Sequence, residues 1–373
     1  VPALRFPEFT EEWKAEQLDN IATLSKGIGI SKEQLSEDGE PCILYGELYT
    51  KYKSEIIKQV ESKTDINGSK LKRSKANDVI IPCSGETAVD IATARCVPFD
   101  NILFGGDLNV ISLHQYDGAF MSYQLNGKRK YDIARVAQGV SIVHLYGEHL
   151  KAIKTYNPTL PEQQKIAKLL SLLDDRIDTQ NKIIEDLKKL KSAISERLFK
   201  SVKGFTVLLS DLCDIVKGKQ INGENLSDSG NYYVMNGGTE PSGYYDNYNV
   251  EASTISISEG GNSCGYVQFN TSPFWSGGHC YSIQNIADKV DNMYLYHYLK
   301  SNEDAIMKLR IGSGLPNIQK KDLAMFKIIV PKIEWQIKIS TFLSSLERKA
   351  EIEERIQNVM QKQKLYLLQQ MFI

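Results

Sequence analysis

The chain has 373 residues, more than the roughly 100 to 200 of an average domain, so two or three folded units are expected. A hydrophobic content of 42%, a charged content of 24% and 11 prolines argue against disorder, collagen-like repeats and a membrane span. The net charge of −1 is not the global signature of a nucleic-acid binder, so any such role has to rest on local patches.

The opening Val1-Pro2-Ala3-Leu4-Arg5-Phe6-Pro7-Glu8 has neither a basic n-region nor an apolar h-region, so a cytoplasmic protein is expected. Residues 1–158 alternate short apolar runs with Gly, Asn, Asp and Ser. Val79-Ile80-Ile81-Pro82, Ile102-Leu103-Phe104 and Val110-Ile111-Ser112-Leu113 read as strands, and Gly118 to Leu125 as a looser helix. Residues 159–200 contain no glycine, and their one proline, Pro161, falls in a first helical turn where a missing N–H does no harm. Ile166, Leu170, Leu173, Ile177, Ile184, Leu187, Ile194 and Leu198 follow a heptad-like spacing, with Gln180 and Lys191 in the seam.

Residues 201–331 return to the mixed pattern, with a strand at Ser253-Thr254-Ile255-Ser256-Ile257-Ser258 and a helix from Met293 to Lys300. In residues 332–373 a second helix starts with Ile339, Leu343 and Leu346, then drifts to Ile352, Ile356 and Val359, with Glu353 and Lys364 intruding. At about 1.5 Å per residue each helix reaches roughly 60 Å. Two such helices either pair with each other, their polar seam residues fixing register, or pack separately on their own domains.

The chain repeats itself. Leu18 to Gly27 lies over Leu209 to Gly218 at an offset of 191, which also carries Gly39 onto Gly230 and Gly46 onto Gly237. Phe104-Gly105-Gly106 meets Ser276-Gly277-Gly278 at 172, and Gly139 meets Gly314 at 175. Pro158 falls on Pro331 and Leu170 on Leu343 at 173, Glu162 on Glu334 at 172, and Phe199 on Phe372 at 173. A period this long implies a duplicated unit of domain plus helix rather than a solenoid.

A search for chemistry returns little. Asn157-Pro158-Thr159-Leu160 lacks the second proline and the aromatic of an adenine-methyltransferase loop, and Gly127-Lys128 lacks the rest of a phosphate loop. The glycine pairs sit in turn-rich β contexts, not at a strand-to-helix junction, and none of the five histidines has a recurring Ser or Cys partner. Cys42, Cys83, Cys96, Cys213, Cys264 and Cys280 are too scattered for a metal or redox pair and read as small buried hydrophobes. His279-Cys280 has no further ligands nearby. No catalytic residue and no metal site are assigned.

What does recur is basic side chains among Tyr, Asn and Ser, the types that neutralise phosphates and read base edges. In the first half Lys72, Arg73, Lys75, Lys128 and Arg129 stand with Tyr45, Glu47, Tyr49, Lys51 and Ser84. In the second, which holds more than half of the 19 tyrosines, Lys217, Lys219, Arg310, Lys320 and Lys321 stand with Asn236, Tyr266 and Ser313. These residues are the candidate DNA contacts. Two related domains with divergent faces imply an asymmetric, two-part target.

The sequence resembles the specificity subunits of type I restriction-modification enzymes. The likeness is carried by Leu4-Arg5-Phe6-Pro7-Glu8-Phe9 with Trp13, by Ile43 to Tyr52, and by Asn157-Pro158-Thr159-Leu160-Pro161-Glu162-Gln163-Gln164-Lys165-Ile166-Ala167. It continues through Leu172 to Ile177 and from Gly312-Ser313-Gly314 to Ile329-Val330-Pro331, and covers essentially the whole chain. The resemblance implies two mixed α/β target recognition domains, 1–158 and 201–331, an α+β fold overall, and two spacer helices, 159–200 and 332–373, paired as an antiparallel coiled coil about a pseudo-twofold. It further implies a bipartite double-stranded DNA target, docking of two methyltransferase subunits, and restriction-translocase subunits in the full enzyme. S-adenosylmethionine, ATP and Mg are then expected in those partners and no cofactor in this chain. The other readings are a stand-alone tandem DNA-binding protein and a self-contained DNA-modifying enzyme.

Overall fold

The two stretches without glycine form the longest elements of the computed structural model, the helices Leu160–Ser201 and Ile333–Gln370. The structure describes residues 1–139, 142–312, 314 and 316–373. It divides into two units, one comprising Val1–Asn181 and Arg355–Ile373, the other Lys182–Glu354. Each long helix therefore contributes one segment to each unit.

In the first unit an antiparallel sheet runs in the order Ala22–Lys26, Leu108–Leu113, Asp78–Pro82, Arg95–Val97. The continuous apolar run Val79–Pro82 reflects burial of the whole strand Asp78–Pro82, from both faces. A second sheet takes the order Lys63–Thr64, Glu40–Ile43, Leu103–Phe104, Lys72–Arg73. The helix Gly118–Asn126 is capped by Asp117, whose Oδ1 accepts from the Phe120 N–H at 2.7 Å.

The second unit carries the sheet Asp214–Lys217, Cys280–Gln284, Thr254–Ser258, Val267–Asn270 and the smaller sheet Tyr244–Tyr245, Tyr232–Met235, Trp275–Ser276. Its helix Asn292–Ser301 is capped in the same way, the Tyr294 N–H donating to Asp291 Oδ1 at 2.7 Å. In each unit a two-stranded ribbon delivers the chain into a long helix. Lys14–Gln17 pairs with Lys154–Asn157, and Phe205–Leu208 pairs with Lys327–Val330.

The duplication is clearest at a buried glutamine. Gln163 donates to the Pro158 carbonyl at 2.8 Å and accepts from the Asp117 N–H at 2.9 Å. Gln336, 173 residues later, donates to the Pro331 carbonyl and accepts from the Asp291 N–H, both at 2.9 Å. Each glutamine thus ties the start of a long helix to the cap of a short one. The pairing of Glu162 with Glu334 gives way to this one, because Glu162 is fully buried against Arg5 Nε at 2.7 Å and Trp13 Nε1 at 3.3 Å, whereas Glu334 is exposed.

Within each unit the long-helix segments run antiparallel against each other. In the first, Gln357 donates to Asn181 at 2.5 Å and Lys364 lies 2.7 Å from Asp174; in the second, Lys188 lies 2.6 Å from Glu354 and Lys191 2.6 Å from Glu347. The same segments also pack on their own domains: Ile166 and Leu170 join Trp13, Phe120 and Phe372 in one core, and Ile194, Leu198, Ile339, Leu343 and Leu346 join Phe199 and Tyr294 in another. Leu173 and Ile184 are buried, and Ile177 and Leu187 half-buried.

The drifting positions of the second helix are a correction. Ile352, Ile356 and Val359 are 47%, 39% and 65% exposed, so they lie off the seam. Glu354, Gln357 and Lys364 make the contacts across it instead, each with a polar partner on the facing helix. A seam built from satisfied polar layers keeps its phase where hydrophobicity alone suggests that the phase is lost.

Candidate nucleic-acid interface

The strands Ala22–Lys26 and Asp214–Lys217 both end in Lys-Gly, and the glycine is dictated by a backbone crossing. A Cβ on Gly27 would stand 2.0 Å from the Gly105 carbonyl oxygen, and one on Gly218 would stand 2.2 Å from that of Gly277. The glycine pairs that recur in the sequence are therefore the two partners of one crossing, built once in each unit.

Further turns gather at the crossing. In the first unit the Tyr49 hydroxyl donates to the Ser84 carbonyl at 3.1 Å, and Ser84 Oγ lies 3.3 Å from His144 Nδ1. In the second the His279 N–H donates to Asn236 Oδ1 at 3.0 Å, the Lys219 N–H donates to the Ser276 carbonyl at 2.8 Å, and Trp275 Nε1 donates to the Lys219 carbonyl at 2.9 Å.

A short loop closes on each cluster through paired backbone bonds. Gln138 and His144 exchange them at 2.9 and 2.7 Å, and Ile311 and Asn317 at 2.8 and 3.0 Å. Each loop has a left-handed glycine one residue in, Gly139 with φ +129° and Gly312 with φ +98°. The paired bonds thus put Gly139 and Gly312 at equivalent positions, 173 residues apart. Ser313 lies outside the described residues.

Charge at the second cluster is held in place. Glu259, 8% exposed, takes Lys217 Nζ at 2.7 Å and the Tyr281 hydroxyl at 3.1 Å on Oε1. Its Oε2 is buried with no hydrogen-bond partner among the described residues, and His279 Nδ1 is 3.9 Å away. Burial, reinforced by the Glu259 charge, pushes the Tyr281 phenol well above its ordinary range, so it stays a donor. The corresponding lysine of the first unit, Lys26, lies 3.5 Å from Asp107.

The candidate residues divide accordingly. Tyr45, Tyr49 and Ser84 line one cleft of the first unit, and Lys217, Lys219 and Asn236 gather at the crossing of the second. Lys72 pairs in register with Phe104, beside Gly105, and Lys75 is exposed. Arg310, Lys320 and Lys321 flank the Ile311–Asn317 loop, exposed and without an ion pair among the described residues.

Others are committed elsewhere. Glu47 is buried, accepting from the Leu44 N–H at 2.9 Å and from Ser62 Oγ, with Lys51 Nζ at 2.8 Å; Lys51 also donates to Ser62 at 2.7 Å. Arg73 forms a two-pronged pair with Glu40 at 2.6 and 3.0 Å. Arg129 donates to the Ile373 carbonyl at 3.0 Å, pairs with Asp132 at 3.0 Å and lies over the Tyr156 ring, while Lys128 beside it is exposed. Tyr266 is half-buried under Lys300, whose Nζ is 3.9 Å from the ring centre.

Lys26, His144, Gln220, His279 and Asn317 reach the clusters without being among the candidate DNA contacts read from sequence, where His279 is weighed as a metal ligand. Lys26 had a signal, since it precedes Gly27 as Lys217 precedes Gly218. The others are placed by backbone closure, which leaves no side-chain pattern.

The six cysteines are buried. Burial pushes the thiols of Cys42, Cys83 and Cys280 up to about 11 and those of Cys96 and Cys213 to about 12. Among the described residues no group of three or more His, Cys, Asp or Glu could hold a metal ion, and no helix is long and apolar enough to cross a membrane.

Comparison with known proteins fits this architecture. A putative type I specificity subunit of Mycoplasma genitalium is 34% identical over 122 residues, 32% of this chain and 31% of that protein. Another from Mycoplasma pneumoniae is 32% identical over 145 residues, 38% of each, so the matches span only about a third of these two relatives. A type I restriction enzyme specificity subunit of Methanocaldococcus jannaschii is 24% identical over 97% of this chain and 91% of its own length. The crystal structure of a type I restriction-modification S subunit from M. genitalium superposes with a TM-score of 0.70 at 19% identity, covering 100% of this chain and 99% of that one, which shows a shared fold. The family model for the type I restriction modification DNA specificity domain matches residues 10–189 and again 204–362, and the chain belongs to that family.

Proposed function

We propose that the chain is the DNA-recognition subunit of a type I restriction-modification complex, and that each globular domain, 1–158 and 201–331, reads one half of a bipartite target. The observation that carries this reading is the glycine crossing built twice, at Gly27–Gly105 and Gly218–Gly277, with different side chains around each copy. One scaffold with two divergent loop sets suits two different short sequences.

In the second domain Lys219, Arg310, Lys320 and Lys321 neutralise phosphates, while Asn236, Gln220 and His279 offer donors and acceptors to base edges. In the first, Lys72 and Lys75 serve the backbone, and Tyr45, Ser84 and His144 face the bases. The spacer helices set the gap between half-sites and dock two methyltransferase subunits. Those partners, with restriction-translocase subunits, bring S-adenosylmethionine, ATP and Mg, and the assembly acts on cytoplasmic DNA.

The test is to co-express the chain with the methyltransferase encoded beside it and to map modified adenines across the genome. A two-part motif with a fixed gap, altered in one half only by Lys219→Ala with Asn236→Ala, is expected. A single contiguous motif, or loss of both halves together, would overturn the proposal.

A further inference from the structure

The first unit contains a cleft of about 1080 Å³, just above the roughly 300–1,000 Å³ usual for ligand sites, lined by Tyr45, Tyr49, Ser84, Asp90, Thr93 and Arg95 among others. Arg95 is only 8% exposed. Its Nε donates to the Tyr52 carbonyl at 2.7 Å and one terminal nitrogen to the Ala94 carbonyl at 2.9 Å. The other terminal nitrogen has no hydrogen-bond partner, and the guanidinium forms no ion pair, among the described residues. Glu55 and Asp174, the carboxylates whose field reaches it, are both held by Lys364, at 2.5 and 2.7 Å. That nitrogen is not sealed off but reaches the solvent of the cleft, where a bound acceptor can take the place of water on a guanidinium whose other donors are already fixed.

The rest of the lining restricts what that can be. Asp90 and Glu86 add carboxylates to the same cleft, which disfavours a phosphate. Tyr45, 39% exposed, offers an aromatic face. Donor, carboxylate acceptors and a stacking surface together suit a flat neutral group that presents acceptors on one edge and donors on another. We propose that this cleft is a nucleobase site, with guanine the best fit, its O6 and N7 accepting from Arg95 and its N1–H and amino group donating to Asp90 or Glu86. The base comes either from a free nucleoside or nucleotide or from a nucleotide swung out of DNA. Only the second source rests on the DNA-recognition function proposed above.

The experiment uses the full chain with guanosine, cytidine and inorganic phosphate, measured by saturation-transfer NMR and equilibrium dialysis. Displacement is then attempted with a duplex carrying one bulged guanine and with the same duplex fully paired. Guanosine is expected to bind at least roughly tenfold tighter than cytidine, and Asp90→Asn, Tyr45→Ala and Arg95→Lys each to weaken it about tenfold. Lys308→Ala, in the other unit, leaves it unchanged. Displacement by the bulged duplex alone assigns the base to DNA; displacement by neither duplex assigns it to a free nucleoside or nucleotide, and the site stands in both cases. Absence of nucleoside binding, or displacement of guanosine by phosphate, overturns the site while leaving DNA recognition intact. Nucleoside binding in a chain whose complex reads no DNA sequence overturns the proposed function instead.

Discussion

Lys364 lies 2.7 Å from Asp174 and, 173 residues earlier in the chain, Lys191 lies 2.6 Å from Glu347, each pair joining one long helix to the other. A tyrosine completes each, Tyr123 donating to Asp174 at 2.6 Å and Tyr296 to Glu347 at 3.1 Å. The two polar seam positions are thus copies of one buried device. Their settings differ, because Lys364 and Asp174 are 16% and 5% exposed, against 23% and 28% for Lys191 and Glu347.

Removing Lys364 is therefore expected to cost more than removing Lys191. Burial pulls the Lys364 ammonium down, but the charges of Glu55 and Asp174 outweigh it and hold it above its ordinary value. Lys364→Met strands two buried carboxylates and should cost about 3–5 kcal/mol, whereas Lys191→Met should cost about 1 kcal/mol. Urea unfolding of both variants checks the order, and equal losses would mean that burial does not set the difference.

A pH dependence follows from His297, which is 3% exposed and hydrogen-bonded to Ser344 Oγ at 2.9 Å. Burial, aided by Lys191 and opposed by Glu347 and Asp291, pushes its imidazole down to about 4. The unfolded chain takes up the proton near pH 6.5 and the folded chain only near 4, so stability is full above 6.5 and falls as pH drops toward 4. The loss at pH 4 should be about 3 kcal/mol, and His297→Gln should flatten that part of the curve. Parallel curves for the two proteins between pH 4 and 7 would assign the acid sensitivity to other groups.

The crossing glycines provide a third test. Gly27→Ala and Gly218→Ala drive a methyl group into backbone carbonyls 2.0 and 2.2 Å away, while Gly29→Ala and Gly223→Ala meet open space. The first two should each cost about 1–3 kcal/mol or more and the second two less than about 1. Thermal unfolding of the four variants decides it.

Much of this organisation was legible in sequence where chemistry leaves a one-dimensional trace. Glycine-free stretches with apolar periodicity announce both long helices, and the 191-residue offset aligns Gly27 with Gly218, the two positions where a Cβ would meet a backbone carbonyl. Arg129 and Arg73 show the limit. A basic run reads the same whether the guanidinium meets a phosphate or, as here, Ile373 and Glu40, since those partners lie 244 and 33 residues away along the chain. Arg95 was invisible for the opposite reason, being one buried cation within an apolar stretch. Ile352, Ile356 and Val359 misled because apolar residues on an exposed helical face imitate a seam.

Arg129→Ala should accordingly lower stability and leave the methylated DNA motif unchanged. It loses a half-buried pair with Asp132, a bond to the Ile373 carbonyl and a contact with the Tyr156 ring, a loss of about 1–3 kcal/mol. A relaxed first half-site in an otherwise stable variant would return Arg129 to the DNA contacts.

The last expectation concerns spacing. One heptad inserted after Ile183 in the first long helix and one after Glu354 in the second keep Lys191 opposite Glu347, Lys188 opposite Glu354, and Lys364 opposite Asp174. Seven residues preserve the phase to within about 20° and add about 10.5 Å. At about 3.4 Å per base pair, the gap in the methylated motif should widen by roughly three base pairs if the helices run along the duplex. Neither half-site sequence should change, because no loop of either domain is touched. Three base pairs also turn one half-site by about 100° around a duplex of roughly 10 to 10.5 base pairs per turn, so weaker methylation should accompany the wider gap. Sequencing the methylated sites of the lengthened variant reads both effects, and an unchanged gap at full activity would mean that something other than the helices sets the spacing.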